Sequence, residues 1–361
     1  MSYLSAIATA VPENCFSQET LTDFYIRSTN DLMSKRKIKI VSGKTGIQTR
    51  YSVLSDFDKA YEDYTFFSKS ADLLPEPTLS DRMKIYAQQA TELSLKAVNG
   101  LEGIHDFKEQ ITHLITVTCT GLFAPGLDIE LMRALSLSPT VQRSSVNFMG
   151  CNAAILALKN ADVICRTFPA AKVLIVCTEL CTIHFQKQYN DDYLLSNLLF
   201  ADGAAAVIVS GKPDGMYQHA VQMEEFNSMV LHSGYDDMAW RLSETGFIMN
   251  LSSYVPGLIR ENIRAMLLGA GLNIDQIKHW AVHPGGKRII DDFALALNLD
   301  KCAMSDTYKI LKNYGNMSSP TVLFVLKEIL EKAKSEHRNE QILAAAFGPG
   351  LTIETLKMRY V

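Results

Sequence analysis

The sequence predicts a duplicated α/β fold, and three observations carry that prediction. From residue 112 onward, apolar strand-like runs alternate with amphipathic segments of helical period, the order that builds a mixed or parallel sheet covered on both faces. The second half then repeats the first: HWAVHPGG is patterned like HLITVTCTG, YGNMSSPTVLFVLKEILEK like FMGCNAAILALKNADVI, and QILAAAFGPG like KVLIVCTEL. The spacings agree too, since His113 precedes Cys151 by 38 positions and His279 precedes Asn316 by 37. This places one half at 1–212 and the other at 213–361, and a chain of 361 residues, 47% hydrophobic, is long enough to bury two such units.

In chain order, MSYLSAIATAVPENC reads as a first strand, and the lack of a basic residue before its apolar stretch argues against a signal peptide. Residues 16–44 are polar and end in SKRKIKIVSGK, where Lys35, Arg36, Lys37, Lys39 and Lys44 form either a solvated face or a docking surface for an anionic ligand such as a phosphorylated carrier. Residues 51–81 read as a helical excursion closed by the loop LLPEPTLSD. Ser80 and Asp81 then precede MKIYAQQATELSLKAVNGL, a helix with an Asn-Gly stop. THLITVTCTG is a strand and DIELMRALSL a helix. The stretch 146–164, VNFMGCNAAILALKNADVI, turns sharply at Gly150 into a helix with Cys151 at its start. KVLIVCTEL is the next strand, followed by a polar loop over 186–192 and a further strand in LLFADGAAAVIVSG.

Composition excludes several classes. The formal charge of -4 leaves no basic footprint for nucleic acid. No apolar run reaches the roughly 18 residues needed to cross a membrane. Seven scattered cysteines, mostly inside apolar runs, argue against a disulfide framework and for a reducing cytoplasm; Cys177 and Cys181 lack the second pair that a zinc site needs.

The chemistry converges on three residues. Cys151 at a helix start has a thiolate that backbone N–H groups and the helix dipole favour; the plain alternative is a buried small residue. Asn316, in a Gly-Asn turn, heads a helix equivalent to that of Cys151, and His283, before Pro-Gly-Gly, ends a strand equivalent to the one ending near Cys119, so pseudosymmetry brings these turns together at strand ends. Taken singly, His283 is a satisfied core histidine as readily as a base, and Asn316 a turn residue. Together, Cys and His make a thiolate-imidazolium pair suited to thioester formation, while His and Asn donate to an enolate or tetrahedral oxyanion. This chemistry calls for no metal and no cofactor.

The motifs NFMGCNAA, WAVHPGG, YGNMSS, ELCTIHF, LLFADGAAAVIV and AFGPGLTIETLKMR, in this order, resemble those of the type III polyketide synthases, the chalcone and stilbene synthase family of the thiolase superfamily. The resemblance runs from roughly residue 40 to the C-terminus. It implies a five-layered αβαβα thiolase fold, a homodimer, and iterative decarboxylative condensation of malonyl-CoA onto an acyl-CoA starter, with no acyl carrier protein needed. Related alternatives are a single-condensation ketoacyl synthase III-like enzyme and a non-elongating acyltransferase; a non-catalytic scaffold fits least.

By the same resemblance, Cys151 matches the acylated nucleophile, and His283 and Asn316 match the pair that promotes decarboxylation. Phe200 matches an aromatic gatekeeper, and Gly348, Pro349 and Gly350 match a loop on the cavity wall. Lys37 and Lys44 fall where cations meet CoA phosphates; Ile40 stands where a third is expected, and Lys287 and Arg288 are candidates to replace it. Met249 replaces a second gatekeeping Phe, and Trp240 occupies a position that is Gly in chalcone synthase. Cys119, Cys181 and His184 stand where plant enzymes have threonines, as in bacterial members. Trp240 would shorten the cavity and Met249 open it.

Overall fold

Strands buried on both faces need helices on both sides, and the burial pattern of this chain sets its layers accordingly. The computed structural model describes residues 1–213, 221–333 and 337–361. Its first half runs β1 (Ser2–Ala10), β2 (Asn14–Ser17), α1 (Gln18–Arg27), α2 (Leu32–Ser42), β3 (Thr49–Ser52), α3 (Leu79–Asn99), α4 (Ile104–Phe107), β4 (His113–Thr118), α5 (Leu127–Ala134), β5 (Gln142–Asn147), α6 (Ala153–Thr167), β6 (Lys172–Leu180), α7 (Asp191–Leu199) and β7 (Asp202–Ser210). The second runs β8 (Val221–Val230), β9 (Met238–Ser243), β10 (Gly246–Leu251), α8 (Val255–Gly269), β11 (Ile277–Val282), α9 (Lys287–Leu297), α10 (Ser305–Tyr314), α11 (Thr321–Glu331), β12 (Gln341–Gly348) and β13 (Thr352–Tyr360).

Among the described residues the main sheet has nine strands in the order β5-β4-β6-β7-β1-β8-β13-β12-β11. Two half-sheets meet where Ser2, Tyr3 and Leu4 pair with Met223, Gln222 and Val221. β4 lies parallel to β5 and β6, and β12 parallel to β11; the remaining neighbours are antiparallel. The period-two alternation of each strand sends its side chains into different layers. In β6, Val173, Ile175 and Cys177 enter a central cluster with residues of α6 and α11, while Leu174 and Val176 enter an outer cluster with α3. In β12, Ile342, Ala344 and Ala346 join the same central cluster, and Leu343, Ala345 and Phe347 join an outer one with α8 and α9. The result is helix, sheet, helix, sheet, helix, with α6 and α11 as the shared middle layer. The duplication expected from the sequence is present: β4, α6 and β6 of the first half correspond to β11, α11 and β12 of the second.

Three local expectations fail. Residues 51–81 form no helical excursion: beyond β3 and a short turn at Tyr61–Asp63 the segment is irregular until α3. Its backbone is satisfied from a side chain instead, since Asp56 accepts from the N–H groups of Thr65, Phe66 and Phe67 and from the Thr65 hydroxyl. Phe57, Tyr64 and Phe67 pack around Phe24 and anchor it. The helix that follows is capped by Thr78 in a reciprocal box with Asp81, ahead of the expected Ser80. The stretch read as polar loop running directly into a strand contains α7, capped by Asn190, whose side chain accepts from the Tyr193 N–H.

Candidate active site

Cys151 sits two residues before α6, on a turn that only glycine permits at position 150. Gly150 has φ +81°, and a Cβ there would lie 2.1 Å from Pro349 Cδ. A Cβ on Gly348 would lie 2.6 Å from the Asn152 side chain, so the β12–β13 loop packs directly against the nucleophile turn. The Asn152 amide donates to Thr352 Oγ1 at 2.6 Å, tying that turn to β13. Gly350 bonds the Met238 carbonyl and carries the loop on to β9.

The second half delivers the other two residues. His283 follows β11 directly, with its N–H bonded to Ala345 O. Asn316 precedes α11; its Oδ1 accepts from Ser318 N at 2.8 Å and its Nδ2 donates to Gly285 O at 3.3 Å, which fixes the amide orientation. A bridge between Phe200 and Asn316 joins the halves here: Asn316 N donates to Leu199 O and Ala201 N to Asn316 O. Cys151, His283 and Asn316 all line one chamber, with Cys119, Thr120, Gly150, Cys181, Phe200, Met238, Trp240, Met249, Leu251, Ser318, Phe347 and Pro349 among its walls. All three are buried.

Their electrostatics depart from the sequence expectation in one respect. Burial pushes the Cys151 thiol up to about 12, against which hydrogen bonds from Ser318 and Asn316 act downward. The helix-start effect on the thiolate is outweighed by desolvation, because the sulfur lies in an apolar cluster with Cys181 and Phe200. Burial also pushes His283 down to about 3. The resting chamber therefore holds a neutral thiol and a neutral imidazole. Both ring nitrogens of His283 lack a hydrogen-bond partner among the described residues. A neutral imidazole has one donor and one acceptor nitrogen, so the ring can donate to an oxygen that enters the chamber.

Sequence reasoning missed two contributors. Ser318, at φ +57°, places its hydroxyl 3.5 Å from Cys151 Sγ and 3.3 Å from Cys119 Sγ. Glu179 is fully buried at the end of β6 and is met by Thr118, Cys119, Thr120 and Ser319. The signal for Glu179 was a lone carboxylate inside an apolar strand; Ser318 carried none beyond its place in YGNMSS.

The remaining candidates separate into three groups. Cys181, Phe200, Trp240 and Met249 form a wall shared with a neighbouring chamber, which Arg50, His184, Gln186, Asn197 and Phe247 also line. Trp240 and Met249 are cross-strand partners in the β9–β10 hairpin. Trp240 is fixed by a 2.6 Å bond from Nε1 to Cys119 O and by edge contacts to His184 and Phe247. His184 thus faces the neighbouring chamber, not that of Cys151. Lys37, Lys44, Lys287 and Arg288 are exposed and line neither chamber. Lys37 pairs with Asp191, Lys287 pairs with Asp291 at 2.7 Å, and the stem of Lys287 lies against Gly46, bringing the 43–47 loop beside the start of α9.

Comparison with known proteins identifies the family and the fold. The sequence profile of "Chalcone and stilbene synthases, N-terminal domain" matches residues 1–213, and that of the C-terminal domain matches 223–361. The alpha-pyrone synthesis polyketide synthase-like Pks18 of Mycobacterium tuberculosis is 30% identical over 364 residues, covering 98% of this chain and 90% of the relative. PKS-I from the brown alga Ectocarpus siliculosus superposes with a TM-score of 0.89 at 26% identity, covering 100% of this chain and 98% of that one. The C-terminal type III polyketide synthase domain of Steely1, a type I/III hybrid from Dictyostelium, gives 0.90 at 26% identity, with 100% and 99% covered. The chain belongs to the chalcone and stilbene synthase family and is an acyltransferase-type polyketide synthase of the type III group.

Proposed function

We propose that this enzyme loads an acyl group from an acyl-CoA onto Cys151 and extends it with malonyl-CoA by decarboxylative Claisen condensation, releasing a pyrone, resorcinol or phloroglucinol-type product. The observation that carries the reading is His283, whose ring nitrogens have no partner among the described residues, in the same chamber as Cys151 and the Asn316 amide. The thiol proton passes to His283 as sulfur attacks the thioester carbonyl, and CoA leaves with a proton. Malonyl-CoA then loses its carboxylate as CO₂. The electron pair becomes an enolate whose oxygen is held by His283 and Asn316. The enolate carbon attacks the Cys151 thioester, and collapse of the tetrahedral adduct returns the sulfur as thiolate. The name of Pks18 favours an α-pyrone among the products.

The polar exterior fits CoA on the exposed cations Lys37, Lys44, Lys287 and Arg288. The division of roles follows the halves 1–212 and 213–361, the first supplying the nucleophile and the second the enolate donors. A homodimer is supported by β5: it is the sheet's edge, mostly exposed, with exposed Met149 two residues beyond it.

Incubation with malonyl-CoA and a panel of acyl-CoAs, from acetyl through long-chain to aromatic, followed by mass spectrometry, tests the proposal. An acyl adduct on Cys151 together with polyketide products is expected. An adduct with malonyl-CoA left intact points to a non-elongating acyltransferase, and the absence of any adduct contradicts the reading.

A further inference from the structure

A second cluster of reactive side chains lies at the far end of β11, the strand that leads to His283. His279 is four residues upstream on β11, about 13 Å away at strand rise, so it cannot reach the Cys151 chamber. His279, His337 and Glu340 place ligand atoms within 4.8 Å of one another. His279 Nε2 lies 2.7 Å from a Glu340 carboxylate oxygen, and both side chains are half-buried. His337 and Glu340 are three residues apart in one turn, closed by a 2.9 Å bond from Glu340 N to His337 O. Tyr360 forms the wall: its ring meets His279 edge-on at 5.4 Å and His337 at 6.2 Å, while its hydroxyl reaches Ile329 O and so stands outside the donor set.

We propose that His279, His337 and Glu340 form a binding site for a divalent transition metal of the zinc class, separate from the active site. Two imidazoles and one carboxylate are a donor set that such ions take readily, with water completing the shell on the open side. The three ligands come from β11 and from the turn entering β12, so a bound ion ties those two together at the edge of the second half-sheet. Its role is structural: it braces the turn before β12, the strand whose far end carries Gly348 and Pro349.

Titration of the full-length protein with cobalt(II), followed by visible absorption, and with zinc, followed by calorimetry and thermal unfolding, tests the site. One saturable equivalent is expected, with cobalt ligand-field bands and no thiolate-to-cobalt charge-transfer band, and a zinc-dependent rise in Tm. His337→Ala lies in a surface turn and should fold normally, lose affinity by at least about tenfold, lose the zinc-dependent rise, and keep polyketide synthesis at the wild-type rate. Glu340→Gln should weaken binding in the same direction. Absence of saturable binding, binding that shows a thiolate band, or undiminished affinity in His337→Ala would each overturn the proposal.

Discussion

Two buried histidines face the middle of this molecule, and they differ in what surrounds them. His184 follows β6 and has both nitrogens engaged: Nε2 donates to Thr120 O at 2.7 Å and Nδ1 accepts from Phe247 N at 3.1 Å, with the ring stacked on Phe247 at 4.3 Å. His283 follows β11 and, among the described residues, has neither nitrogen engaged. Burial pushes both down to about 3, so the titration of either ring by itself does not tell them apart. The hydrogen-bond inventory does. The fold satisfies His184 fully and leaves His283 open toward the chamber of Cys151, as expected when one ring holds structure and the other awaits an oxygen.

Substitution sharpens that contrast most. His283→Ala should lower polyketide formation by about 10³-fold or more while costing less stability than His184→Ala, because it leaves no backbone group of the described residues unpaired. His184→Ala should do the reverse. It leaves Thr120 O and Phe247 N–H unpaired and opens a void against Phe247, costing about 2 to 4 kcal/mol of stability in urea unfolding. A His184→Ala protein as stable as wild type would break the comparison.

Acid titration is the next largest effect. Both histidines have folded values near 3, below the unfolded value near 6.5. The unfolded chain therefore takes up protons first as pH falls through 6.5, and each ring contributes a loss of about 1.4 kcal/mol per pH unit down toward its folded value. Asp202, raised to about 6 by burial, acts in the opposite direction over its own range, since there the folded state protonates first. The histidine share is read by difference: unfolding free energy measured from pH 7 to 5 should fall less steeply in His184→Gln than in wild type.

Trp240 should give the smallest shift. It stands between the two chambers and presses edge-on against His184. Trp240→Ala should move starter preference toward longer acyl chains by about 1 to 3 kcal/mol in relative kcat/KM. An unchanged preference would mean that the neighbouring chamber takes no part in selecting the starter.

The contrast also shows how far the residues themselves could be read. Alternating apolar strands and the repeated His-to-Cys and His-to-Asn spacings made the duplicated layers legible, because periodicity and order survive in a linear string. The meeting of Cys151, His283 and Asn316 followed from pseudosymmetry. The open state of His283 and the closed state of His184 did not, since hydrogen bonds to Thr120 and Phe247 depend on segments that sequence spacing does not relate. Residues 51–81 depart from a helical excursion for a similar reason: Asp56 gathers three backbone N–H groups and so removes the need for a helix. The thiol of Cys151 was read from its helix start, whereas its burial among Cys181 and Phe200 was set by the fold.

The most direct measurement is malonyl-CoA decarboxylation by Cys151→Ala and by the Cys151→Ala/His283→Ala double variant, followed as acetyl-CoA release. The account predicts that the single variant makes no polyketide yet still decarboxylates, and that the double variant does neither. Loss of decarboxylation in Cys151→Ala alone, with the protein folded, would contradict the assignment of the enolate to His283 and Asn316.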